Sequence, residues 1–197
     1  MAQNEKKNLD LLNLSIWVVS HAKIAEDVAR GLAHLHQASR LIHGNLKSTN
    51  VLLGADFEAC ITDYGLTLFD IEQSEDTTLL VYKVPEFIKY DKRMGPKSNV
   101  YSFGILLLKF LIGKIPLQSI LNGQAMDLQK WVHYVRAEEL ESGAIDGFVS
   151  STKSPKDKMI ILLDLAVSYL APSPERRPTM RHVLRMIEEV KEHSASS

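Results

Sequence analysis

The segment that most limits the fold is SNVYSFGILLLKFLIG, Ser98 to Gly113. It is apolar on nearly every side, and Gly113 and Pro116 act as stop signals behind it. It falls short of the roughly 18 apolar residues that a membrane span needs. A helix with no polar face must be surrounded by protein, so the rest of the chain has to supply a shell around it.

Amphipathic segments capable of forming that shell are present. HAKIAEDVARGLAHLH, His21 to His36, places Ile24, Val28, Leu32 and Leu35 on one helical stripe. MDLQKWVHYVRAEEL (126–140) reads as an amphipathic helix, and DKMIILLDLAVSYL (157–170) as a well-buried one. TMRHVLRMIEEVKEH (179–193) reads as a surface helix with Val183, Met186, Ile187 and Val190 turned inward. Residues 66–96 and 143–155 show no sustained period and read as loops. The sequence has no internal repeats, and it is expected to form one mostly helical unit.

Composition excludes some functions. With 45% hydrophobic and 24% charged residues over 197 positions, the chain is an ordinary soluble globular sequence. A net charge of −1 offers no broad electrostatic case for nucleic acid or an anionic membrane. Cys60 is the only cysteine, so an internal disulfide is impossible. Its place in an apolar strand makes it most simply a small core residue. The N-terminal lysines and apolar stretch superficially suggest a signal peptide, but Asp10, Asn13 and Ser15 interrupt it and the pattern runs on into a helix.

The chemistry gathers in HGNLKSTNVLLGADFEACITDYG, His43 to Gly65. Two apolar runs joined at Gly54-Ala55-Asp56 read as a hairpin, with polar residues at its two outer ends. Such an arrangement brings those polar residues side by side, as in a catalytic cleft. Asn45 nevertheless occupies the place where a base is wanted. An amide oxygen is scarcely basic and the amide nitrogen offers no lone pair, so Asn45 can hold a hydroxyl but not take its proton. His34 and His36 lie two apart, face different sides of a helix and form no metal pair.

Together these segments resemble the C-terminal lobe of a eukaryotic protein kinase, in particular plant leucine-rich-repeat receptor-like kinases. AEDVARGLAHLH is similar to the helix before the catalytic loop. HGNLKSTN stands where the family has H-R-D-L-K-x-x-N, DYG stands for D-F-G, and VPE for A-P-E. KSNVYSFGILLLKFLIGK resembles the K-S-D-V-Y-S-F-G helix, and ERRPTM closes the lobe. The likeness covers about Trp17 to Lys191. It implies a mainly α fold, a protein-kinase-like C-lobe with a small β-hairpin at the catalytic loop. The expected organisation is an extension without N-lobe motifs (1–16), the kinase-like domain (17–193) and a tail (194–197).

The resemblance also assigns roles. Asn45 takes the position of the catalytic Asp, whose loss as a general base costs about 10²–10⁴-fold in rate. Lys47 matches the catalytic-loop lysine that faces the transferred phosphate. Asn50 and Asp63 match the two Mg²⁺ ligands, here vestigial. Gly44 replaces the arginine that pairs with a phosphorylated activation loop. Asn99 replaces the central-helix Asp that accepts catalytic-loop N–H groups, and one neutral oxygen does this less well than a carboxylate. His43 reads as a buried structural histidine, with a base in its own right as the alternative; Tyr64 is the D-F-G aromatic. Glu86 and Arg177 match a structural ion pair. Ser74, Thr77 and Thr78 are either phosphorylation sites or plain loop hydroxyls.

The expected function is therefore an inactive kinase-like domain acting as a signalling interaction module. Sixteen residues precede Trp17, no G-x-G-x-x-G occurs among the ten glycines, and no N-lobe lysine can be assigned. No cofactor is expected, with Mg-ATP admitted only if an N-lobe is supplied. The alternative is a Ser/Thr protein kinase whose ATP-binding N-lobe is missing from this chain. A protein partner is expected on the N-lobe-facing surface around Leu52, Leu53 and Tyr64, with neither nucleic acid nor a membrane span. The resemblance implies a cytoplasmic location, with the cytosolic face of the plasma membrane as the family's usual address.

Overall fold

The structure, a computed structural model, describes residues 2–65, 95–112 and 155–192. In these stretches the chain forms α1 (Ala2–Ala38), a 3-10 turn (Ser48–Asn50), β1 (Val51–Leu53), β2 (Ala59–Ile61), α2 (Pro96–Ile112), α3 (Pro155–Tyr169), a second 3-10 turn (Pro174–Arg176) and α4 (Met180–Glu192). Two helix pairs dominate the packing, α1 on α4 and α2 on α3, with α1 also reaching β2, α2 and α3. The 126–140 helix, Glu86 and the hydroxyls at 74, 77 and 78 lie outside the described residues.

Helix α2 is the hub. Every residue from Ser98 to Leu108 is buried, as its all-round apolar sequence requires. Burying each leucine or phenylalanine in this way is worth about 1.5–3 kcal/mol over leaving it in water. The helix begins two residues before the expected Ser98. Pro96 tolerates the first turn, where its missing N–H costs nothing. Ser98 then caps the start, its Oγ accepting from Gly95 N at 3.1 Å while its own N–H donates to Gly95 O at 2.9 Å.

Where α2 crosses α3, Gly104 lets the backbones meet. A Cβ there would sit 3.0 Å from both Ala166 O and Tyr169 Cβ, and 3.1 Å from Leu170 Cδ2. The rings of Phe103 and Tyr169 lie 6.1 Å apart beside this crossing. Burial pushes the Tyr169 hydroxyl well above the usual phenol range, so it stays protonated.

Helices α1 and α4 read as their patterns predict. Ile24, Val28, Leu32 and Leu35 are buried on α1, and Val183, Ile187 and Val190 on α4, where Met186 is only partly buried against the core and Met180 joins the buried set. Thr179 starts α4, its Oγ1 accepting from His182 N at 3.3 Å. Glu26 joins the two helices by taking hydrogen bonds from Lys191 and from Arg30, which also reaches Glu188 at 3.1 Å. Burial alone would raise the Glu26 carboxyl, but the Lys191 and Arg30 bonds outweigh it and hold the group below its ordinary value. Helix α1 itself runs 37 residues and begins well before the expected His21. Among the described residues, no helix is long and apolar enough to cross a membrane.

One burial expectation is overturned: Cys60 is exposed. In a two-stranded ribbon, side chains alternate between faces. Ala59 and Ile61 turn toward the core, which leaves Cys60 on the outer side.

Candidate functional site

The hairpin that carries the site pairs Val51 with Ile61, Leu52 with Cys60 and Leu53 with Ala59, antiparallel. Its turn closes through Phe57 N to Gly54 O at 3.2 Å and Gly54 N to Glu58 O at 2.9 Å. Phe57 takes a left-handed φ of 60° there. Two polar ties fix the hairpin to α1: Lys23 Nζ donates to Asp56 O at 2.6 Å, and Asp27 Oδ2 accepts from Ala59 N at 3.0 Å.

This register brings the two outer ends together. Thr62 N donates to Asn50 O at 3.0 Å, and Gly65 N donates to His43 O at 3.2 Å. Asn45, Asn50 and Asp63 are thereby gathered at one end of the hairpin. Asn50 is buried, and its Nδ2 donates to Asn45 O at 2.9 Å, pinning the loop across its own width. Asp63 is exposed with a φ of 57°, a left-handed conformation that Asp tolerates better than most residues. Lys47 is extended just before the 3-10 turn, and Lys109 of α2 reaches Ser48 Oγ at 2.6 Å.

His43 lies at the base of the loop with no exposed surface. Its Nδ1 accepts from Asn45 N at 3.4 Å, and its Nε2 has no partner among the described residues. Burial pushes the imidazole below its ordinary value, against smaller upward pulls that include the Asp63 charge. A neutral imidazole at this depth suits a packing role.

Asn99 of α2 does reach the catalytic-loop position. Its Oδ1 accepts from Gly44 N at 3.3 Å, and its Nδ2 lies 2.9 Å from His36 Nε2. Gly44 has a φ of 77°, a backbone that glycine adopts without side-chain strain. The His36 contact had no signal in the sequence, where His36 stood out only as half of a rejected metal pair.

Arg177, expected opposite Glu86, is 1% exposed. Its guanidinium donates to Ala171 O at 2.8 Å, Lys97 O at 3.1 Å and Pro172 O at 3.3 Å, and lies 4.9 Å from the centre of the Tyr101 ring. Side chains of Leu52, Leu53, Phe57 and Tyr64 are about half exposed on the hairpin and just beyond it.

For metal chemistry the gathered residues supply little. Asn50 and Asp63 bring one amide oxygen and one carboxylate, whereas Mg²⁺ takes six oxygens. Among the described residues no group of three or more His, Cys, Asp or Glu could hold a metal ion. The pair could hold a cation only if oxygens from outside the protein, of water or of a phosphate, completed the sphere.

Known proteins place this geometry. The protein kinase domain family matches residues 9–187. An inactive leucine-rich repeat receptor-like serine/threonine-protein kinase of Arabidopsis thaliana is 43% identical over 176 residues, which is 88% of this chain and 26% of that protein. A probable inactive receptor kinase from the same plant is 36% identical over 184 residues, 91% of this chain and 28% of its own length. A third relative there, a probable leucine-rich repeat receptor-like protein kinase, is 38% identical over 174 residues, 86% of this chain and 26% of its length. The chain thus spans about a quarter of the length of the curated relatives it matches. A helix-dominated core, a hairpin that closes on a polar loop, and a family match from residue 9 to residue 187 make this chain a member of the protein kinase domain family, of receptor-like-kinase type.

Proposed function

We propose that this domain is a pseudokinase: it keeps the frame of a catalytic loop, lacks phosphoryl transfer, and acts in signalling by binding another protein. One observation carries the reading. The loop is held in an organised geometry by Asn50, Thr62 and Gly65, yet the residue at the base position is Asn45. An amide there positions a hydroxyl without removing its proton. That some relatives are named inactive supports the same reading.

The test is phosphate transfer from Mg-ATP to a generic basic protein. The unmutated chain is expected to give none above a no-protein control. Asn45→Asp alone is expected to give none either, because the Gly44 and Asn99 positions also depart from the family and this sequence carries no glycine loop. Incorporation by the unmutated chain above that control would sink the proposal, whereas incorporation by Asn45→Asp alone would mean that the missing base is the whole lesion.

The binding half of the proposal rests on the exposed Leu52, Leu53, Phe57 and Tyr64, apolar side chains that gain from being covered. Leu52→Glu with Leu53→Glu is expected to abolish binding of a hydrophobic dye that the unmutated chain takes up. Dye uptake unchanged by the pair would place the apolar surface elsewhere.

Retention of Lys47, Asn50 and Asp63 favours a second reading, in which nucleotide still binds. Mg-ATP that raises Tm by several degrees would support it, since ligand stabilisation requires affinity for the folded state. The pseudokinase reading expects no such shift.

A further inference from the structure

The hydrogen-bond chain from His36 through Asn99 to Gly44 has only one consistent assignment of protons. Gly44 N is a backbone donor, so the Asn99 atom facing it at 3.3 Å must be the oxygen. The Asn99 amino group then faces His36 Nε2 at 2.9 Å. An amino group only donates, so Nε2 must accept. His36 is therefore neutral and carries its proton on Nδ1.

We propose that His36 is a positioning residue that sets the orientation of the Asn99 amide, so that protonating His36 releases the catalytic-loop Gly44 from α2. A proton on Nε2 would point a second donor at the Asn99 amino group. The amide relieves this clash by turning its oxygen to His36, which presents its amino group to the Gly44 N–H and breaks that bond. A carboxylate at position 99 would behave differently, since it accepts from both neighbours at once. The coupling thus follows from asparagine at this position.

The surroundings bias the device toward its closed form. His36 lines a cavity of about 320 Å³ with Lys97 of α2 and Arg181 of α4. None of the described residues lining that cavity is acidic, so it offers no counter-charge to a protonated His36. Lys97 is directed to Arg177 O, and Arg181 to Gln37 Oε1 at 2.9 Å. Burial also holds the His36 imidazole below its ordinary value, which keeps it neutral near pH 7.

Nuclear magnetic resonance on the full chain tests this directly. The neutral His36 is expected to be the Nδ1–H tautomer, and the Gly44 amide resonance to shift along the His36 titration curve. Once corrected for the intrinsic pH dependence, hydrogen exchange at Gly44 should be roughly tenfold faster when His36 is charged. In Asn99→Asp, His36 should titrate at higher pH, and the Gly44 exchange rate should no longer follow it. The proposal fails if the neutral tautomer is Nε2–H, or if Gly44 is unmoved while His36 titrates. It fails equally if His36 stays neutral down to the pH at which the fold is lost. The first measurement needs no variant, so a poorly folding Asn99→Asp does not protect the idea.

Discussion

The crossing of α2 and α3 and the loop at the hairpin's open end are built on opposite terms. At the crossing, Gly104 lets backbone approach backbone, and the α2 side chains from Ser98 to Leu108 are buried. Many contacts share the work, and most of them are non-directional. At the loop, single hydrogen bonds from Gly44, Asn50, Thr62 and Gly65 hold the chain, and the neighbouring Leu52, Leu53 and Tyr64 face outward. Packing tolerates few changes because each residue touches many others, whereas a polar site rests on single atoms, so in the proposed pseudokinase reading the one substitution at Asn45 is enough to remove the base.

The largest expected effect is on the packed side. Arg177→Ala strands three backbone carbonyls and removes the charge over Tyr101, so it should cost about 3–5 kcal/mol in urea unfolding. The exposed neighbour Arg176→Ala is the control. Equal midpoints for the two variants would mean that the buried guanidinium carries no such weight.

Two glycines then compare the regions like for like. Gly104→Ala pushes a methyl against Ala166 O and Tyr169 Cβ, and is expected to cost about 1–3 kcal/mol. At Gly54 the nearest obstacle is Glu58 Oε2, the far end of a flexible side chain that accepts from Asp56 N at 3.2 Å, so Gly54→Ala should cost less, about 0.5–1 kcal/mol. Similar losses at both positions would erase the contrast.

Acid should act next, through the two histidines that burial holds below their ordinary values, His36 and His43. The unfolded chain takes up these protons near pH 6.5 and the folded chain only at lower pH. Their stabilising contribution is therefore complete above about pH 6.5 and declines as pH falls through that window. Tm should drop between pH 7.5 and pH 5.5, and less so in His36→Gln; a Tm that rises on acidification would reverse the assignment. The last change expected, and the one stabilising change among them, is at the turn. Phe57 carries a left-handed φ of 60°, and Phe57→Gly should stabilise by about 0.5–1 kcal/mol. A loss instead would show that the ring makes contacts worth more than the strain.

What could be read from sequence follows the same division. Helical stripes such as Ile24, Val28, Leu32 and Leu35 repeat a local period, and burial follows from the period. The hairpin was legible because Gly54-Ala55-Asp56 punctuates two apolar runs. Cys60 escapes such a reading because an apolar strand does not reveal which of its faces meets the core. The start of α1 is hidden from the sequence, since the amphipathic period fades toward the N-terminus while the helix continues. His36 and Asn99 are 63 residues apart, and no local pattern encodes their meeting. Such contacts arise only once the helices are docked.

That outward-facing thiol has a practical consequence. Cys60 is the single cysteine of the chain and stands on the open side of β2, across the ladder from Leu52. A thiol-directed fluorophore would therefore attach once per molecule, on the hairpin itself, without engineering any other position. Its emission would register whatever approaches that strand, and its rate of attachment would fall when something covers it. The chain carries its own attachment point for watching the face on which a partner is expected to land.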